Sequence, residues 1–188
     1  MDLLIASPKP EKNGYTWTMA SRLGEMLNRA EELFGPRDLS YTIIGVEFCA
    51  DGPQLWYPGS RRHIVIQLSV SCLTDRVRAY YQLAHECIHL LAPSGGRNAN
   101  VLEEGLATYF SELYVQETFG NSMKPELASY AGACELVRQL LTIDECFVLK
   151  LRAKQPTMHL TRVEDIWAIR PDVPRELAES LVAPFVRQ

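Results

Sequence analysis

Residues 80–91, YYQLAHECIHLL, are apolar except for four side chains that share one face of a predicted helix. At about 100° per residue these four fall within one arc of roughly 100°. They are Gln82, His85, Glu86 and His89. A helix that is apolar over the rest of its surface is expected to be buried, and burying unpaired charge is costly. The polar stripe therefore needs a partner, and a bound cation would be one.

The first part of the chain mixes strand and helix signals. LSYTIIGVEF and RRHIVIQLSV are rich in β-branched and aromatic residues, and the turn-forming segments ADGP and YPGS lie between them. They predict two strands of one sheet. LLIA predicts a further short strand. Apolar residues at three- and four-residue spacing predict an amphipathic helix over residues 15–34, ended by Gly35-Pro36.

From residue 74 onward the signals are helical. They predict helices over residues 74–91, 101–119 and 125–141, and the loop APSGGRNA separates the first two. Shorter helices are predicted in IDECFVLKLRA, RVEDIWAI and PRELAESLVAPF.

No internal repeat or long linker divides the 188 residues, so we expect one domain over residues 1–188. Residues 1–73 form its mixed part, and residues 74–188 form a helical part that carries the metal site. The predicted fold class is α+β, with a small twisted N-terminal sheet over the polar-striped helix and a helical C-terminal half.

Charge and composition exclude several classes of partner. The net charge is -4 and the charged residues of both signs are interspersed, so neither nucleic acid nor an anionic membrane is predicted as a partner. The start of the chain does not resemble a signal peptide, and no later run approaches about eighteen apolar residues. Five widely spaced cysteines in apolar contexts predict reduced core thiols. We expect a soluble cytoplasmic protein, and its oligomeric state stays open.

The segment from His85 to His89 matches the pattern H-E-x-x-H. Spacing of i, i+4 places two imidazoles on one helix face and points both at a single metal ion, with the intervening Glu86 available as a general base. The alternative is a pair of core histidines hydrogen-bonded to carbonyl groups. Catalytic zinc takes three protein ligands and a water, so a third ligand is expected.

The segment NANVLEEGLATYF offers two candidates for that ligand, Glu103 and Glu104. If Asn100 is the N-cap of the second helix, Glu103 occupies the N3 position and can accept a hydrogen bond from the backbone N–H of the cap. Glu104 is then left for the metal.

HECIH followed by LEEGLATYF resembles the gluzincin metallopeptidases, and is most similar to the aminopeptidase N-like branch, whose second motif reads W-L-N-E-G-x-A. The resemblance covers roughly residues 60–141. It implies a zincin-like fold, one Zn²⁺ held by His85, His89 and Glu104, and Glu86 as the general base. It also implies hydrolysis of a peptide or protein substrate. No G-x-M-E-N segment is present, so endopeptidase and exopeptidase activity both stay open.

Further roles follow from the same resemblance. SYAGACELVRQLL is similar to the family's Y-x-x-G helix start, which implies that Tyr130 donates a hydrogen bond to the transition-state oxyanion. A structural tyrosine is the alternative, and His159 is a reserve oxyanion donor. Thr108, four residues after Glu104, is either a partner of a ligating histidine or a helix threonine bonded to its own backbone. The strand over residues 64–70 is expected to be the edge strand that aligns substrate.

Two classes of function remain open from sequence. The first is a zinc-dependent hydrolase, acting on peptides or on another amide or ester. The second is a catalytically silent gluzincin-like module that keeps the metal and recognises a protein partner. Glu86 favours the hydrolase, because a purely structural metal site does not need a general base.

Overall fold

The computed structural model describes residues 6–8, 16–60, 62–96 and 99–188. Within these ranges the chain forms five strands and seven α-helices, which confirms the predicted α+β class. The strands are β1 (Ala6–Pro8), β2 (Thr16–Thr18), β3 (Thr42–Cys49), β4 (Gln54–Trp56) and β5 (His63–Ser69). The helices are α1 (Met19–Phe34), α2 (Arg76–Leu91), α3 (Val101–Phe119), α4 (Ala128–Ile143), α5 (Phe147–Lys154), α6 (Val163–Trp167) and α7 (Arg175–Val182).

The N-terminal part begins with a two-stranded antiparallel pair, β1 and β2. The predicted strand LLIA lies outside the described residues except for Ala6, which belongs to β1. Helix α1 begins at Met19, later than predicted, because Thr18 has an extended backbone and acts as its N-cap. The Thr18 hydroxyl accepts a hydrogen bond from the backbone N–H of Ser21 at 3.2 Å. The helix ends at Phe34, as predicted.

Strand β5 is the centre of the main sheet, whose order is β3-β5-β4. It pairs with β3 in parallel and with β4 antiparallel. The expectation that this strand is the edge strand is therefore wrong: β3 and β4 are the two edges, and β4 contacts α2. The connection from β3 to β4 crosses the end of β5 at Gly52, where a Cβ atom would lie 2.7 Å from the carbonyl carbon of Leu68. Strand β4 has only three residues, too few to show an alternating pattern between its turn-forming neighbours.

The helical part follows the predicted order with small shifts at two helix starts. Helix α2 begins at Arg76, because the side chain of Asp75 caps it by accepting a hydrogen bond from the N–H of Arg78 at 3.0 Å. Helix α3 has the predicted bounds and ends at Gly120, which is in the left-handed region with φ 69°. Helix α4 begins at Ala128 rather than residue 125, because Leu127 is extended.

The core forms where α2 packs between β5 and α3, and where α3 packs against α4. Helix α3 is buried on nearly all sides, so it is the central helix of the fold. The largest fully buried side chains are Phe110, Phe147, Met26, Ile64, Ile66, Leu68, Leu83, Ile88, Leu90, Leu91, Leu102 and Leu106. Cys146 is exposed, so the prediction of a core position is wrong for this thiol. Among the described residues, no helix has the length and apolarity needed to cross a membrane.

Arg152 holds the C-terminal ends of two helices together from a buried position on α5. Its guanidinium donates hydrogen bonds to the carbonyl groups of Phe34 at 2.7 Å, Gly35 at 2.7 Å and Pro36 at 2.8 Å, just after α1. It also donates to the Leu91 carbonyl at 3.1 Å, at the last residue of α2. Helix ends leave such carbonyls without partners inside the helix. The Leu91 carbonyl also accepts a hydrogen bond from the Asp38 N–H at 2.9 Å, so Arg152 and Asp38 together fix the end of the helix that carries both histidines.

Candidate metal centre

The polar stripe of α2 faces a cleft of about 730 Å³. His85 and His89 lie one turn apart with ring centroids separated by 5.1 Å. Their side chains are 12% and 15% exposed. Glu86, between them, is 3% exposed and also lines the cleft. The polar stripe of α2 therefore faces this cleft rather than the side chains of the core.

Glu104 reaches the two histidines from the first turn of α3. One of its oxygens, Oε2, lies 3.1 Å from His85 Nε2, and the other, Oε1, lies 3.7 Å from His89 Nε2. The three candidate ligand atoms all lie within 4.8 Å of one another. The structure therefore brings together His85, His89 and Glu104 as a group that could in principle bind a metal ion.

The chemistry of these donor atoms suits a divalent ion. The two histidine–glutamate separations, 3.1 and 3.7 Å, involve different oxygens of the same carboxylate, so each imidazole has a carboxylate oxygen near it. Two imidazoles and one carboxylate are a donor set that catalytic zinc uses with a water as fourth ligand. The same donors also bind other divalent first-row ions.

The charges around His89 would favour a cation between the two histidines and Glu104. Burial lowers the pKa of His89, but Glu104, Glu103 and Glu86 outweigh it and raise this pKa to about 10. Burial raises the pKa of Glu104, but the two histidines outweigh it and lower this pKa to about 2. For Glu86, burial raises the pKa against the attraction of His89 and His85. Three carboxylates surround two imidazoles in a largely buried space, and their negative charge would favour a cation between them.

Glu103 has a different role from the one predicted. Asn100 caps α3 as expected, since its side-chain oxygen accepts a hydrogen bond from the Glu103 N–H at 2.9 Å. The Glu103 carboxylate, however, does not return to the cap: its Oε1 lies 2.8 Å from His89 Nδ1. A histidine that binds metal through one nitrogen usually gives its other N–H to a carboxylate or carbonyl, which fixes the ring. Applied to the adjacent Glu103 and Glu104, that rule could have identified Glu103 from sequence as the hydrogen-bond partner of a histidine.

Tyr130 lies in the cleft close to the histidines. Its ring centroid is 5.7 Å from that of His85 and 4.8 Å from that of Phe185. Burial, reinforced by the charge of Glu104, raises the pKa of Tyr130 to about 12, so its hydroxyl keeps its proton and can donate a hydrogen bond. Its oxyanion role stays a prediction.

The other two candidates from sequence have weaker claims. Thr108 lines the cleft, but its hydroxyl donates to the backbone carbonyl of Glu104 at 2.9 Å, which is the helix-backbone alternative. His159 does not belong to the cleft lining. Its buried Nδ1 has no hydrogen-bond partner among the described residues.

Gly105 allows α3 and α4 to approach closely beside the site. A Cβ atom at this position would lie 2.3 Å from the carbonyl oxygen of Ala133 and 2.8 Å from a methyl group of Val137. Such contacts are too short for any side chain, so only glycine fits. Because Tyr130 is on α4, this close approach also determines its distance from His85.

Two further parts of the cleft wall have no motif in the sequence. On one side, Gln54 and Leu55 of the edge strand β4 line the cleft. The segment after α7, residues 183–188, contributes Phe185 and Arg187. Neither was a candidate from sequence, because each depends on a tertiary contact that local spacing does not report.

Comparison of the chain with models of known protein families, with curated proteins and with solved structures finds no match.

Proposed function

We propose that this chain is a zinc-dependent peptidase of gluzincin type. The observation that carries the proposal is the convergence of His85, His89 and Glu104 in a cleft that also contains a buried Glu86. A metal site with a carboxylate beside it is the arrangement used for metal-assisted hydrolysis. When bound, zinc would supply a Lewis acid that polarises a carbonyl and lowers the pKa of a bound water towards neutrality.

The residues of the chain would act in the following way. Glu86 takes a proton from the attacking water while the oxygen of that water bonds to the carbonyl carbon of the substrate. Glu86 later gives the proton to the leaving amine as the C–N bond breaks. Burial, which raises the pKa of Glu86, suits a group that must both accept and return a proton. Glu103 holds the ring of His89 in place through the contact with Nδ1. Tyr130 donates its hydroxyl proton in a hydrogen bond to the oxygen that becomes negative.

The substrate would lie along β4. Among the described residues this strand pairs with β5 on one side only, so its other edge has free backbone groups. An extended peptide can add to such an edge through main-chain hydrogen bonds. Gln54 and Leu55 place that edge in the wall of the same cleft. The proposed orientation therefore brings a peptide carbonyl next to Glu86.

Metal content and peptide cleavage test the proposal together. We expect about one zinc per purified chain and cleavage of a diverse peptide mixture that stops with a chelator and returns with added zinc. Glu86→Gln is the matched variant, because it removes the base and preserves the size of the side chain. It should retain zinc and lower turnover by about 10² to 10⁴-fold.

Two outcomes would contradict the proposal. A chain that binds zinc but leaves every peptide intact would favour the silent metal-binding module, and one that cleaves equally well with and without metal would exclude the metal mechanism. If Glu86→Gln cleaved at the parent rate, the assignment of the base would be wrong.

A further inference from the structure

The segment formed by residues 183–188 joins the starts of the two helices that carry Glu104 and Tyr130. The backbone N–H of Phe185 donates to the Ala99 carbonyl at 3.1 Å, just before α3. The N–H of Gln188 donates to the Ser129 hydroxyl at 3.1 Å, in the first turn of α4. Hydrogen bonds on both sides of Arg187 therefore hold the backbone of this segment along the cleft, and they fix the position of the Arg187 backbone.

Arg187 differs from the other Lys and Arg side chains of the cleft lining in its partners. Among the described residues that line the cleft, Arg78 is 2.8 Å from Glu126, and Lys124 is 2.6 Å from Glu112. Arg187 forms no ion pair with any described residue and is exposed. Its guanidinium is therefore available to a ligand in the cleft.

Arg187 shares the cleft with the candidate metal site. Its side chain lines the same cleft as Glu104 and Tyr130. A ligand group that binds Arg187 can therefore belong to a molecule whose other atoms reach the histidines and Glu104.

We propose that Arg187 recognises a carboxylate of the peptide substrate, so that the site prefers peptides with a negative group near the cleaved bond. The inference rests on the proposed function, since it names the substrates of the same site. A guanidinium binds a carboxylate through two parallel hydrogen bonds. A peptide can supply that carboxylate from its C-terminus or from an Asp or Glu side chain.

Binding to the zinc-loaded Glu86→Gln protein tests the inference without requiring turnover. Calorimetric titration would compare a short peptide with a free C-terminal carboxylate, its C-terminal amide, and two amidated peptides that carry Asp or Asn at the same position. We expect at least one carboxylate peptide to bind roughly ten- to a hundredfold more tightly than its amide counterpart, as for loss of a hydrogen bond to a charged group. The preferred pair identifies the source of the carboxylate, and the preference should shrink with added salt.

Second-site variants on the same background assign the preference to one residue. Arg187→Gln should abolish it, and Arg187→Lys should retain part of it, because the charge remains without the paired geometry. Arg175→Gln, which removes an exposed cation outside the cleft lining, should leave it unchanged. Three results would overturn the inference. The first is equal affinity for the carboxylate and amide members of each peptide pair, and the second is no measurable binding of any peptide. The third is a carboxylate preference that survives Arg187→Gln. If the preference is found but the parent protein cleaves none of the peptides, the proposed function fails and the recognition by Arg187 stands.

Discussion

Replacing Glu103 tests how the chain orients its second histidine. The Glu103 Oε1 atom lies 2.8 Å from His89 Nδ1, and the Glu103 side chain is only 4% exposed, so bulk water cannot easily replace it. Loss of such a partner typically lowers metal affinity about 10- to 100-fold. That factor corresponds to about 1.4 to 2.8 kcal/mol of binding free energy. We expect Glu103→Ala to lie near the upper limit and Glu103→Gln near the lower one, because the amide oxygen still accepts a hydrogen bond.

The assay is a competition titration with a chromophoric chelator, which gives the zinc dissociation constant, combined with thermal unfolding of the zinc-free protein. Glu112→Gln is the matched control, because Glu112 is a second largely buried carboxylate on α3, with a side chain 8% exposed. It contacts Lys124 at 2.6 Å and Arg138 at 2.7 Å and no histidine. This control should lower stability and leave zinc affinity unchanged.

The capping interpretation gives the opposite result, which makes the experiment decisive. If Glu103 only served the N-cap of α3, Glu103→Ala would cost about 0.5 to 2 kcal/mol of folding free energy and leave zinc affinity intact. A zinc dissociation constant for Glu103→Ala within about twofold of the parent would therefore refute the orienting role. Complete loss of zinc in Glu103→Ala, with full retention in Glu104→Ala, would exchange the roles of the two glutamates.

Three further predictions concern the packing of α3 against α4, the hydrogen bonds of Arg152 and the oxyanion donor. Gly105→Ala should destabilise the fold by about 1 to 3 kcal/mol in urea unfolding, because its Cβ would lie 2.3 Å from a carbonyl oxygen of α4. Gly132→Ala, whose Cβ meets nothing within 4 Å, is the control and should be neutral or slightly stabilising. Arg152→Met should cost more than about 3 kcal/mol in the same assay, because it removes the donor of three carbonyl groups and one of the two donors of a fourth, that of Leu91. A cost below about 1 kcal/mol would show that water satisfies them. Tyr130→Phe keeps the ring and removes the hydroxyl, so kcat should fall roughly a hundred- to a thousandfold at unchanged zinc content and melting temperature. If His159→Ala abolished turnover instead, with zinc intact, the oxyanion role would pass to that residue.

Helix periodicity was sufficient to locate the two histidines of the candidate metal site. The stripe that contains His85 and His89 could be predicted because the i, i+4 spacing of a helix is local and independent of tertiary contacts. The bounds of α3 were also predicted from sequence, because Asn100 and Gly120 mark its two ends by side-chain capping and left-handed backbone. With those bounds, Glu104 falls in the first turn of α3, where it reaches the histidines.

The remaining parts of the site depend on contacts between segments far apart in sequence. Strand β4 is an edge strand because it pairs only with β5, whose other side is taken by β3. The three residues of β4, which lie between two turns, carry no sequence pattern that reveals this pairing. The partner of Glu103 is fourteen residues away on another helix. Arg187 reaches the cleft through hydrogen bonds of its neighbours Phe185 and Gln188 to Ala99 and Ser129, which lie 86 and 59 positions earlier in the chain. No local pattern carries that information.

The pair Glu104-Gly105 shows how one short motif can combine two separate physical requirements. Glu104 is at its position because its carboxylate reaches both histidines, whereas Gly105 is at its position because α4 passes too close to α3 for a Cβ atom. The second requirement concerns helix packing and would hold without any metal. The two are nevertheless coupled, because the distance that Gly105 permits between the helices also places Tyr130 next to His85. A substitution at Gly105 should thus impair turnover through the position of Tyr130 even where zinc binding by Glu104 survives.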